Sequence, residues 1–148
     1  MTKLFSIFSA PKIDHARVVA AITATEQRTS GEIRVLLARS KAADPVAAAQ
    51  KHFERLGMTR THHRNGVLLF VAPRSRTFAI IGDTAVHKKC GDPFWREVAD
   101  AMSEYFKKDD FTGGLVHGIA RAGALLAEHF PPEAGDRNEL PDQIEETD

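Results

Sequence analysis

Between Gly66 and Asp83 the chain reads GVLLFVAPRSRTFAIIGD, two runs that are apolar at almost every position, joined by the polar stretch Pro73, Arg74, Ser75 and Arg76. A strand with one wet face alternates apolar and polar residues, so unbroken apolar runs predict two strands covered on both faces. Helices must then lie above and below the sheet. The expected fold is a three-layer α/β/α sandwich around a short mixed sheet. The stretch closes on Gly82-Asp83, which delivers a carboxylate to one edge of that sheet.

The flanking segments supply the layers. From about Pro11 to Gln27, Ile13, Ala16, Val19, Ala20, Ile22 and Ala24 stand apart from a polar set of Lys12, His15, Arg17 and Glu26, the pattern of an amphipathic helix. Thr29, Ser30 and Gly31 interrupt it, and Glu32 to Ala38 reads as a strand. Asp44-Pro45 is a helix start, since the carboxylate accepts free amides and proline loses nothing at the first helical position; the helix runs to about Leu56 and stops at Gly57. Strand, helix, strand in succession implies a parallel crossover, and the strand from Thr77 returns antiparallel. Gly82-Asp83 is thereby expected at the edge where Ser30-Gly31-Glu32 and Arg64-Asn65-Gly66 begin their strands. Asp92-Pro93 opens another helix, reaching about Lys107, with Phe94, Val98, Ala101, Met102 and Tyr105 on its apolar face and Trp95 beside it. A last helix spans about Thr112 or Gly113 to His129, where Gly118 and Gly123 permit close approach of a neighbour.

At 148 residues and 43% hydrophobic content the chain suits one domain, residues 1–131, followed by an acidic tail, 132–148, nearly free of apolar residues and expected to be disordered. Its 20 basic and 20 acidic side chains cancel, so no overall field draws nucleic acid or anionic lipid. The balance is uneven along the chain. Beyond Phe130, Glu133, Asp136, Glu139, Asp142, Glu145, Glu146 and Asp148 face a single base, Arg137, which leaves the body net positive. One cysteine, Cys90, excludes an internal disulfide and a thiolate zinc site. MTKLFSIFSA lacks the apolar core of a secretion signal, and no run is long enough for a membrane span, so the expectation is a soluble cytoplasmic protein.

TSGEIRV at Thr29 to Val35, RNGVLLFVA at Arg64 to Ala72, FAIIGD at Phe78 to Asp83 and the pair Phe94-Trp95 together resemble the TPM domain family. That family is named for a thylakoid-lumen repair protein of photosystem II, its cyanobacterial relative and an auxiliary protein of a nematode acetylcholine receptor. The resemblance covers about Asp14 to Pro131. It implies an α/β/α sandwich around a short mixed sheet; it also implies calcium binding, as in some members, or acid phosphatase activity, as attributed to plant members. The secreted type carries a signal peptide and often a membrane helix or glycine-rich tail, features not seen in this sequence, which weighs against a membrane-anchored role.

Glu32, Asn65 and Asp83 are oxygen donors that the topology gathers at one edge, with Asp92 at a nearby helix start, a set suited to calcium or magnesium. The alternative is structural: Glu32 pairs with Arg34 or Arg64, Asn65 and Asp83 hold turns, and Asp92 caps its helix. Arg60, His62, His63 and Arg64, joined by Lys88-Lys89, could hold a phosphate with Asn65 and Ser30 as further donors, or form a solvated connection. His62-His63 matches no metal motif, and no glycine-rich run of the nucleotide-binding kinds occurs. Cys90 follows two lysines that would favour its thiolate. Trp95 and Tyr105 read as packing residues. Three functions follow. The first is a non-enzymatic binding module with a divalent cation and a protein partner. The second is a metal-assisted phosphomonoesterase, with Asp83 as nucleophile or base and Arg64 or His62 steadying charge. In the third, the acidic tail is an arm docking on the basic body or on a basic partner.

Overall fold

The computed structural model describes residues 12–133 and 144–147. Helix α1 (His15–Glu26) begins at Asp14, whose Oδ1 accepts the Arg17 amide at 3.1 Å, and buries Val18, Ile22 and Thr25 at helical spacing. Strand β1 (Glu32–Ala38) leads to α2 (Pro45–Arg55), started by Asp44 and Pro45 and burying Ala49 and Phe53. Strands β2 (Gly66–Ala72) and β3 (Thr77–Gly82) are joined by a short 3₁₀ turn, Pro73–Ser75, with Arg76 left-handed at φ 56°.

The next helix departs from expectation. Helix α3 spans Thr84–Lys107, so it starts directly at the end of β3 rather than at Asp92, and it is broken at Gly91, where φ is 71° and ψ 173°. A positive φ suits a residue without Cβ. Gly91 therefore divides two helical pieces, and Asp92-Pro93 restarts the second. Helix α4 (Phe111–His129) is capped by Asp110, which accepts the Gly113 amide at 2.8 Å. A Cβ at Gly123 would collide with Thr25 of α1, and one at Gly118 would lie 2.7 Å from Met102 Sδ, so both glycines permit the expected close approach. Tyr105, expected on the buried face of α3, is exposed and lies against His117.

The sheet order is β3-β2-β1-β4, where β4 is Ile144–Thr147. β1 and β2 are parallel with Glu32 opposite Gly66, and β2 and β3 are antiparallel with Val67 opposite Gly82. Helices α1, α3 and α4 cover one face over Ile33, Val35, Val67, Leu69 and Val71. Helix α2 packs across β2 and β3 on the other, over Leu68, Phe70 and Ala79. Burial of both faces is the physical reason for the unbroken apolar runs.

Strand β4 corrects the expectation of a tail without structure. Residues 134–143 lie outside the described residues, but 144–147 pair in parallel with β1, with Val35 opposite Ile144 and Ala38 opposite Thr147. Arg34 and Arg39 of β1 and its exit meet Glu145 and Glu146. Charge attraction and a free strand edge thus order four residues whose composition alone gives no periodic signal.

Candidate functional site at the strand ends

The reversal of β3 brings three distant stretches together. The Asp83 amide donates to the Gly66 carbonyl at 2.9 Å, and the Glu32 amide to the Asn65 carbonyl at 3.4 Å. Glu32, Asn65 and Asp83 therefore share one sheet edge, as the topology requires.

Their side chains do different work. Asp83 is the N-cap of α3, accepting the Thr84 amide at 2.7 Å. It also receives a two-pronged contact from Arg64, Nε to Oδ2 at 2.7 Å and Nη2 to Oδ1 at 2.8 Å. Arg64 is left-handed at φ 53°. Its side chain is 46% exposed whereas that of Asp83 is 5% exposed, so a buried carboxylate is met by a guanidinium that still faces water. The bond and charge of Asp83 push Arg64 further above its ordinary range. Asn65 is buried, donating through Nδ2 to Ser30 Oγ at 3.2 Å. Glu32 is buried as well. Of the two arginines anticipated as partners of Glu32, Arg34 meets Glu145 and Arg64 meets Asp83.

Asp83 opens onto a cleft of about 1310 Å³ between α2, the 62–64 connection, the end of β3 and the first turns of α3. His62, His63, Arg64 and Lys88 line it, so much of the anticipated basic cluster does converge; Arg60 and Lys89 lie outside the lining. His63 also pairs with Glu133 at 2.6 Å. Asp92 reaches the same cleft and lies 3.4 Å from His87. Glu32 and Asn65 are not in the lining. Among the described residues no group of three or more His, Cys, Asp or Glu side chains is placed to hold a metal ion. With both Asp83 oxygens engaged by Arg64, the four oxygen donors do not fit a calcium or magnesium shell as they stand.

Three contributors escaped the sequence. Lys51 enters from α2, and Thr84 and His87 enter from the first piece of α3. The Asp-Thr-Ala-Val start of that piece was the available signal for the latter two. Trp95 was read as a packing residue and is one, against Gly82 and Val86, but it also borders the cleft. Its Nε1 is buried without a hydrogen-bond partner among the described residues. Cys90 moves the other way. Burial pushes its thiol up, against the direction expected of the neighbouring lysines.

A family model described as the TPM domain matches residues 7–125. The BA42 protein of the psychrophilic bacterium Bizionia argentinensis, solved by NMR, is 39% identical with a TM-score of 0.81, over 89% of this chain and 91% of that one. The N-terminal domain of a P. gingivalis protein (18% identity, TM-score 0.61, 75% and 72% coverage) shares the fold. So does that of a Corynebacterium glutamicum protein (22%, 0.55, 75% and 70%). No curated protein matches the chain. Among the described residues no helix is long and apolar enough to cross a membrane.

Proposed function

The chain belongs to the TPM domain family, and from that premise we propose that it is a non-enzymatic binding module taking a small anionic group, a phosphate or a carboxylate, in the cleft beside Arg64. The observation that carries this reading is the state of Arg64. Asp83 takes its Nε and one Nη2 donor and so fixes the plane of the guanidinium, while the remaining N–H groups of a half-exposed side chain stay available. Lys51, His62, His87 and Lys88 line the same cleft as further donors, beside the carboxylates of Glu54, Asp83 and Asp92, and the ring of Trp95 borders it. Hydrolysis is the weaker reading. Asp83 has both oxygens committed and is almost wholly buried, a poor position for a nucleophile or base.

The divalent-cation reading has one specific observation in its favour. Asp83 and Asp92 line the same cleft, and the guanidinium that occupies Asp83 is exposed enough to be replaced. Trp95 is the sole tryptophan, so its fluorescence reports on the cleft without a label. Titration with inorganic phosphate is expected to give a saturable change that Arg64→Ala weakens tenfold or more, on the order of 1.4 kcal/mol. Absence of any saturable response to phosphate at millimolar concentration sinks the anion reading. A response to calcium or magnesium in its place transfers the site to the cation.

A further inference from the structure

Without β4, the outer edge of β1 would end the sheet on the side opposite β3. Its free amides and carbonyls would form a template for another strand. The tail segment that fills it is four residues long and nowhere fully buried. Each position does one job. Ile144, opposite Val35, packs toward the helix-rich core; Glu145, opposite Leu36, meets Arg34 on the α2 side; Glu146, opposite Leu37, meets Arg39 at 3.1 Å; and the Thr147 carbonyl accepts the Arg39 amide at 2.7 Å.

Arg34 shows that this occupant fits incompletely. It is 3% exposed, yet Glu145 engages Nη2 alone, and the buried Nε has no hydrogen-bond partner among the described residues. A charge taken out of water is held best when all its donors are satisfied. Arg64 in the same chain shows what the full fork can do, meeting both oxygens of Asp83 through Nε and Nη2. We propose that the outer edge of β1 is a strand-acceptor site for an extended acidic segment of a partner protein. That segment runs parallel to β1, with an apolar residue opposite Val35 and a carboxylate that forks onto Arg34, and the chain's own tail strand is its resident competitor. Main-chain pairing supplies affinity and the two arginines supply selection for acid. The unspent Nε is what favours a partner over the identical tail of a second copy. This site lies on the opposite side of the sheet from the cleft and stands or falls separately.

The probe is a fluorescein-labelled peptide of residues 140–148, LPDQIEETD, titrated by anisotropy against two full-length proteins. One is the wild type; the other carries E145K and E146K, which turn the tail's own carboxylates against Arg34 and Arg39. Because the tethered tail competes at high effective concentration, the peptide is expected to bind the double variant roughly tenfold or more tightly than the wild type. Adding Arg39→Glu, an exposed substitution, is expected to lower that affinity and not the near-ultraviolet signal of Trp95. Equal binding to wild type and double variant overturns the proposal, as does absence of binding to a double variant whose Trp95 spectrum is native. Wild-type protein that dimerises with concentration by light scattering assigns the edge to a second copy and overturns it too.

Discussion

Replacing Asp83 separates its two duties, capping α3 and pairing with Arg64. Asp83→Ala removes the acceptor for the Thr84 amide, and loss of an N-cap costs about 1 kcal/mol, within a range of about 0.5–2. The pair with Arg64 adds little, because that guanidinium stands in water and its attraction is screened. For a chain of this size each kcal/mol corresponds to roughly 2–4 °C, so the alanine variant is expected to melt about 1–8 °C below wild type. Asp83→Asn keeps an oxygen for the cap, and asparagine caps as well as aspartate, so it is expected to stay within a few tenths of a kcal/mol of wild type. Arg64→Ala leaves the buried Asp83 carboxylate with the Thr84 amide but without its counter-charge, and is expected to melt below the asparagine variant. Thermal and urea denaturation, followed by far-ultraviolet circular dichroism and Trp95 fluorescence at neutral pH, measures all three. An asparagine variant that falls as far as alanine shows that the charge, not the cap, carries the stability. One more stable than wild type shows a buried carboxylate left uncompensated, a group held in readiness for a cation, and refutes the assignment of Asp83 as a spent structural acid.

Two further outcomes test the packing and the titration of the body. Gly123→Ala places a methyl against Thr25 of α1; the gain of roughly 1 kcal/mol in helix propensity is outweighed by overpacking of about 1–3 kcal/mol, and Thr25→Ala in the same chain is expected to restore most of the loss in urea denaturation. His52 lies against Phe70, and burial first, then Arg55 and Lys51, hold its pKa below the ordinary histidine value of 6.5. Its folded pKa is depressed, so its contribution to stability is complete above 6.5 and is lost as pH falls through the lower folded value. The denaturation midpoint of His52→Gln is therefore expected to fall less steeply than that of wild type over that window, and parallel profiles refute the assignment.

What could be read from the chain divides along a physical line. Apolar runs and caps are local, and Gly66 to Asp83, Asp44-Pro45 and the spacing of Leu115, Ile119 and Ala122 led to elements found in place. The meeting of Glu32, Asn65 and Asp83 was legible because a parallel crossover followed by an antiparallel return leaves no other arrangement of strand ends. Side-chain choice at that edge was not. Arg64, left-handed in its backbone, pairs with Asp83 rather than with Glu32. Helix before Asp92 was hidden by Gly91, which reads as a terminator and acts as a joint between two helical pieces. The acidic tail misled because IEET has no period to detect, its order being supplied by residues more than a hundred positions earlier.

Arg34 was the clue to that tail. An arginine buried within β1 is tolerable only if a carboxylate comes to it, since burying the charge alone would cost several kcal/mol. The neutral total of the chain conceals the asymmetry behind that contact, in which Glu145 and Glu146 of the acidic tail meet Arg34 and Arg39 of the net positive body. The two arginines at opposite margins of the sheet then invite different partners for one reason. On the two proposals, Arg64, half-exposed with its carboxylate already matched, would offer its remaining donors to a mobile anion, and Arg34, buried with Nε unmatched, would meet an acid carried on a pairing strand.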